Sequence, residues 1–172
     1  MAVQRSLVMT LIGPDQPGLV EELSVLVASH GGNWVESRMA HLAGHFAGIL
    51  RVECAADQCE ALIDSLRKVG CLAIQVEDEL PAPPSGNLQR ILRFDVMGND
   101  RPGIVRELAS TIAKAGGNVE ELSSNLESAA HAGHPLFHAT GVAAVSKDFD
   151  DHILVSALEA LGPDLSVTVS GG

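Results

Sequence analysis

Positive charge is scarce in this chain: 11 Lys and Arg stand against 22 Asp and Glu, for a net charge of −11 with histidine neutral. The deficit is even, close to −6 before the proline-rich stretch at mid-chain and −5 after it. Nucleic-acid affinity rests largely on neutralising phosphates with Lys and Arg, so a chain without a basic stripe is a poor direct DNA binder. A role in gene control would therefore run through a protein partner. Long apolar runs are missing too: no window approaches the roughly 18 residues of a membrane span, and Met1 to Arg5 lacks the pattern of a secretory signal. A soluble cytoplasmic protein, away from membranes, is expected. Cysteine is limited to Cys54, Cys59 and Cys71, an odd number without Cys-x-x-Cys spacing, inside apolar or helical patterns. They read as reduced thiols in or near a core.

Catalytic signatures are also absent. There is no Gly-x-x-x-x-Gly-Lys-Ser/Thr phosphate loop, no Gly-x-Ser-x-Gly elbow and no His-Glu-x-x-His pair. Neither an enzyme nor a bound cofactor is expected. His131, His134 and His138 are spaced three and four apart, but Pro135 breaks any helix that would align them and no pair of acidic partners is evident. They read as a solvated loop and not a metal site, and His41 and His45 as exposed residues flanking a turn.

What the chain has is apolar substance and a repeat. A hydrophobic fraction of 46% with 19% charged residues indicates a packed core. Gly13-Pro14-Asp15-Gln16-Pro17-Gly18-Leu19-Val20-Glu21-Glu22-Leu23 aligns with Gly98-Asn99-Asp100-Arg101-Pro102-Gly103-Ile104-Val105-Arg106-Glu107-Leu108 at an offset of 85 residues. The same offset maps Gly31-Gly32-Asn33 onto Gly116-Gly117-Asn118. Between the copies, Pro81, Pro83 and Pro84 fix φ and remove donors, so neither helix nor central strand can continue. The expected domains are residues 1–80 and 89–172, joined by a semi-extended linker over 81–88 that favours docking of the halves.

Each half reads as strand, helix, strand, strand, helix, strand. Leu7 to Ile12 and Ile91 to Met97 are apolar and β-branched enough for central strands. Leu19, Val20, Leu23, Leu26 and Val27 recur at helical spacing, as do Ile104, Val105, Leu108 and Ile112, before glycines that can close a helix. Hairpins follow at Trp34 to Ala40 with Phe46 to Cys54, and at Asn118 to Leu126 with Leu136 to Val145. Second helices at Gln58 to Val69 and Asp150 to Leu161, the latter presenting Ile153, Leu154 and Leu158, precede last strands at Leu72 to Val76 and Leu165 to Val169. The class is α+β: two ferredoxin-like βαββαβ modules, each a four-stranded antiparallel sheet with two helices on one face. The uncovered face makes pairing within or between chains, and hence a homodimer, the expectation.

The repeated Gly-x-Asp-x-Pro-Gly turn lies between a strand end and a helix start, where unpaired N–H groups and the helix dipole converge and can hold a carboxylate. Glycine lets a ligand approach the backbone, and proline in the first helical turn fixes the entry angle. Equally, Asp15 and Asp100 could cap their helices, and Asn33 and Asn118 could be turn residues rather than ligand amides.

The run Gly98 to Gly103 before a helix, with Gly116-Gly117-Asn118 opening a strand, resembles the ACT domain family. Gly13 to Gly18 with Gly31-Gly32-Asn33 resembles it too, with Pro14 and Gln16 as departures that remove a donor and a charge. Among tandem ACT proteins the chain is similar to the family of the glycine cleavage system transcriptional repressor, a likeness to which Pro135-Leu136-Phe137 contributes. The resemblance implies an amino-acid-responsive accessory regulator, with glycine among the candidate ligands and a transcription factor as partner. It equally admits a regulatory subunit of a separate metabolic enzyme. It further implies ligands at interfaces between paired modules, bound by Asn99, Asp100, Arg101, Pro102, Gly103 and Asn118, with Asp15, Gln16, Pro17, Gly18 and Asn33 as first-copy equivalents.

Overall fold

The computed structural model describes residues 3–81, 88–128 and 135–171. The chain divides into two compact units, Met1–Pro81 and Ala82–Gly172. The first runs β1 (Gln4–Pro14), α1 (Leu19–Ser29), β2 (Asn33–Leu42), β3 (His45–Ala55), α2 (Cys59–Arg67) and β4 (Ala73–Asp78). The second repeats the order with β5 (Leu88–Asn99), α3 (Ile104–Lys114), β6 (Asn118–Ser128), β7 (Pro135–Ser146), α4 (Asp151–Glu159) and β8 (Ser166–Gly171). The sheets are ordered β2-β3-β1-β4 and β6-β7-β5-β8, with every pairing antiparallel. This is the ferredoxin-like arrangement expected from the element order.

Alternation along the central strands sets the core. Leu7, Met9 and Leu11 of β1, and Leu50, Val52 and Cys54 of β3, point to the helix side, where they meet Leu19, Leu23 and Val27 of α1 and Leu62 and Leu66 of α2. The second unit does the same with Leu92, Phe94 and Val96 of β5 and Ala139, Ala143 and Val145 of β7, against Ile104, Leu108 and Ile112 of α3 and Leu154 and Leu158 of α4. In α1 and α3 the buried stripe is the i, i+4, i+8 row alone. Val20 and Val105, one residue further on, stay 48% and 39% exposed, and Ile153 of α4 is exposed rather than turned to the core as its spacing suggested.

The 85-residue offset holds from β1 through β2, then lengthens. Gly13 pairs with Phe46 and Gly98 with Phe137, an offset of 91, because the second hairpin has the longer connection. The first hairpin turns through Ala43 and Gly44 alone, with φ 50° and 79°. Two consecutive positive φ values suit the right-handed twist of the flanking strands.

Two expectations are corrected here. The sulfurs of Cys54 and Cys59 are joined in a disulfide, with Cα atoms 5.9 Å apart, so only Cys71 is a free thiol. Both side chains enter the same core from either side of the β3–α2 turn, a proximity that five positions of sequence separation across a strand end did not announce. His138 is not a loop residue: it lies in β7 with Nδ1 2.9 Å from Glu127 and Nε2 3.1 Å from Asp95. The acidic partners come from neighbouring strands, each two residues off its register partner, a diagonal that only strand pairing sets up. His131, His134 and residues 82–87 of the proposed linker lie outside the described residues. Among the described residues no group of three His, Cys, Asp or Glu is arranged to hold a metal, and no helix is long and apolar enough to cross a membrane.

Candidate functional site

The repeated turns before α1 and α3 are each closed by glycine in the left-handed region, Gly18 at φ 90° and Gly103 at φ 89°, as the residue before the helix. Neither helix receives a side-chain cap. Asp15 and Asp100 are therefore not caps, and Pro17 and Pro102 precede the helix instead of lying in its first turn. The positive φ is what requires glycine at that point.

In the second unit the turn is tied down by backbone and side chain alike. The Asp100 N–H donates to the carbonyl of Pro135 at 3.2 Å, and the Asn99 N–H to the carboxylate of Asp164 at 2.9 Å. That donated bond, with the Asp164 backbone N–H and the charge of Arg101, holds the Asp164 carboxyl below its usual range. Arg101 turns inward, pairing with Glu107 one helical turn into α3 and donating to the Leu161 carbonyl at 3.0 Å. Its guanidinium joins the turn, α3 and the end of α4.

The first unit lacks this clamp at both ends. Pro14 replaces Asn99 and has no N–H, and Cys71 stands where Asp164 stands relative to the last strand. The turn keeps the backbone bond alone, from the Asp15 N–H to the Gly44 carbonyl at 3.0 Å, the counterpart of that from Asp100 to Pro135. The Asp15 carboxylate lies 3.7 Å from His41, both side chains exposed.

Beside the second turn is an open pocket of about 500 Å³, lined by Asp100 to Val105 from the turn and α3, Ser124, Asn125 and Leu126 from β6, and Phe137 from β7. The Asp100 side chain has no hydrogen-bond partner among the described residues. The Ile104 N–H is taken by the Arg101 carbonyl, and Glu107 closes the first bond into the helix, onto Gly103 at 3.0 Å. Val105 and Arg106 thus contribute the first-turn amides that a helix cannot satisfy internally. Of the two only Val105 lines the pocket, so the arrangement offers one carboxylate and one such N–H group beside an apolar wall.

Of the residues expected to act together, Asp100, Arg101, Pro102 and Gly103 border this pocket, whereas Asn118 does not. Asn118 pairs with Ala144 at the far end of β6, and Leu126 with Phe137 at the near end. At about 3.3 Å per residue the two ends are about 25 Å apart. Asn33 stands likewise opposite Glu53, away from the first turn. Within a unit, the turn and the asparagine after the double glycine are not brought together. The sequence reading missed Glu107, Asp164, Ser124, Asn125 and Leu126; Asp164 alone carried a signal, since it and the Asn99 donor are both replaced in the first copy.

Residues 5–77 match the family model of the ACT domain. The first unit is thus similar to an ACT domain. The second unit, outside that match, repeats its strand order and connections, so the chain has a tandem ACT-like fold. The match falls on the copy whose turn departs more from the ACT pattern. Two solved structures extend the likeness over the whole chain. A protein of unknown function from Galdieria sulphuraria superposes with a TM-score of 0.85 at 25% identity, covering 99% of each chain. A protein provisionally named a glycine cleavage system transcriptional repressor superposes at 0.70 and 20% identity, over 99% of this chain and 100% of that one. No curated protein matches the sequence. The ACT match is to a regulatory domain, and it indicates no catalytic family.

Proposed function

We propose that this tandem ACT-like protein is an amino-acid-responsive accessory regulator that acts on a transcription factor by protein contact, without reading DNA itself. The observation that carries the reading is the pocket at Asp100–Gly103, which an unpartnered carboxylate and the first turn of α3 border together. An α-amino acid matches that pattern with its two charges: the ammonium group goes to Asp100 and the carboxylate to the α3 N-terminus at Val105, favoured by the helix dipole. The net charge of −11 supports the absence of direct DNA contact. The likeness to a provisionally named transcriptional repressor shows the fold alone and is consistent with a regulatory role.

Isothermal titration of the full chain against the amino acids tests the sensing step. Saturable binding at or below millimolar concentration is expected, and its absence for every amino acid would leave an assembly role in place of sensing. Affinity capture with and without the bound amino acid tests the partner. Recovery of a metabolic enzyme in place of a transcription factor would move the protein to the class of enzyme regulatory subunits. The chain is expected to act as a homodimer, which light scattering measures directly.

A further inference from the structure

We propose that the pocket of the second unit selects an amino acid with an apolar side chain and discriminates against glycine, with Leu126 as the specificity-determining residue. The proposal rests on the reading that Asp100 and the first turn of α3 hold an amino acid, and adds which one.

Past the polar end, the pocket wall is Pro102, Val105, Leu126 and Phe137. Phe137 is buried and forms the floor, but Leu126 is 58% exposed and Val105 39%. Leu126 lies on the helix side of the sheet, in register with Phe137, yet on edge strand β6 the helices leave it uncovered. Apolar surface kept in contact with water at the mouth of a pocket is covered favourably by an apolar ligand group. Glycine would satisfy Asp100 and the α3 N-terminus and leave both side chains wet. A branched chain of three or four carbons reaches from the same anchor across Val105 onto Leu126.

The Arg101 guanidinium is engaged by Glu107 and the Leu161 carbonyl, whereas that of Arg106 comes within 4.0 Å of where a Cβ on Gly103 would stand, so glutamate is the competitor to be measured against leucine. Ser124 and Asn125 are the remaining polar lining groups and carry no charge. The first unit does not share the wall. His41 pairs with Phe46 where Leu126 pairs with Phe137, and it lies against Asp15, so the apolar selection belongs to the second unit.

The test is calorimetric titration of the full chain with glycine, alanine, valine, leucine and glutamate, repeated on Leu126→Ser and Asp100→Asn, with circular dichroism confirming that both variants fold. A hydrophobic contact discriminates by about 10- to 200-fold per methylene. Leucine or valine should therefore bind at least about tenfold more tightly than glycine, and glutamate more weakly than leucine. Leu126→Ser should bring leucine towards glycine, whereas Asp100→Asn should weaken every amino acid by a similar factor. Glycine binding as tightly as leucine, or a leucine preference that persists in Leu126→Ser, overturns the selectivity and leaves sensing standing. If none of the five binds, the selectivity falls, and sensing falls with it once every other amino acid also fails to bind.

Discussion

Replacing Arg101 by glutamine, the residue at the equivalent position of the first copy, separates two roles for this side chain. As a ligand contact it would lose a charge-assisted bond to the bound carboxylate, costing about 2–5 kcal/mol of affinity, on the order of 30- to 5,000-fold. In the structure it is instead a clamp. The guanidinium and the Glu107 carboxylate are each about one-third exposed, so their ion pair is worth about 0.5–1 kcal/mol. The bond to the Leu161 carbonyl adds about 0.5–1.5 kcal/mol. Glutamine is too short to span both, so the second unit should lose about 1–2 kcal/mol, or about 5–10 °C in its melting temperature. Measured well below that transition, amino-acid affinity should change by less than about threefold. Scanning calorimetry reads the first quantity and titration calorimetry the second. An unchanged melting temperature together with a hundredfold loss of affinity would refute the clamp and return Arg101 to the ligand.

Ala43 adopts φ 50° in the two-residue turn between β2 and β3, a conformation that costs an L-residue about 1 kcal/mol; Ala43→Asn should stabilise the first unit by about 0.5–1 kcal/mol, read as a higher urea midpoint, and no gain would mean the turn is already relaxed. The Cys54–Cys59 bridge closes a short loop, worth about 2 kcal/mol by loop entropy. Mass-resolved alkylation of the unfolded chain should accordingly label one thiol without reductant and three with it, and reductant should lower the stability of the first unit only. His138 has its pKa raised above 6.5, chiefly by the bond to Glu127 and then by that to Asp95, while Glu127 is lowered below 4.5 by His138. The stabilisation from His138 is fully present below pH 6.5 and is lost as pH rises through the raised value. That from Glu127 is present above pH 4.5 and lost as pH falls through the lowered one. Chemical denaturation from pH 5 to 9 should show the second unit weakening on the alkaline side, and His138→Gln should flatten that limb.

Much of the architecture was legible because it depends on local chemistry. The 85-residue register, the period-2 strands around Leu7 and Leu92, and the glycines at Gly18 and Gly103 each follow from a physical rule that acts within a few residues, so element order and the turn emerge from the chain alone. The limits of that reasoning show at Val20, Val105 and Ile153, apolar residues at helical spacing that are nonetheless exposed: periodicity tells which residues share a face, and not how far the sheet beneath extends to cover it.

The sequence by itself therefore determined the duplication, the ferredoxin-like order of each unit and the location of two strand-to-helix turns, because hydrophobic period and backbone conformation are written residue by residue. Only the tertiary structure decided what surrounds those turns. Pairing of β6, β7 and β5 carried Leu126 and Phe137 to the Asp100 turn and set Asn118 about 25 Å away at the other end of the strand. Packing of the α4 end against the turn converted Arg101 from a candidate ligand group into a clamp, since a side chain's partner is chosen by proximity across the fold and not by its neighbours in the chain.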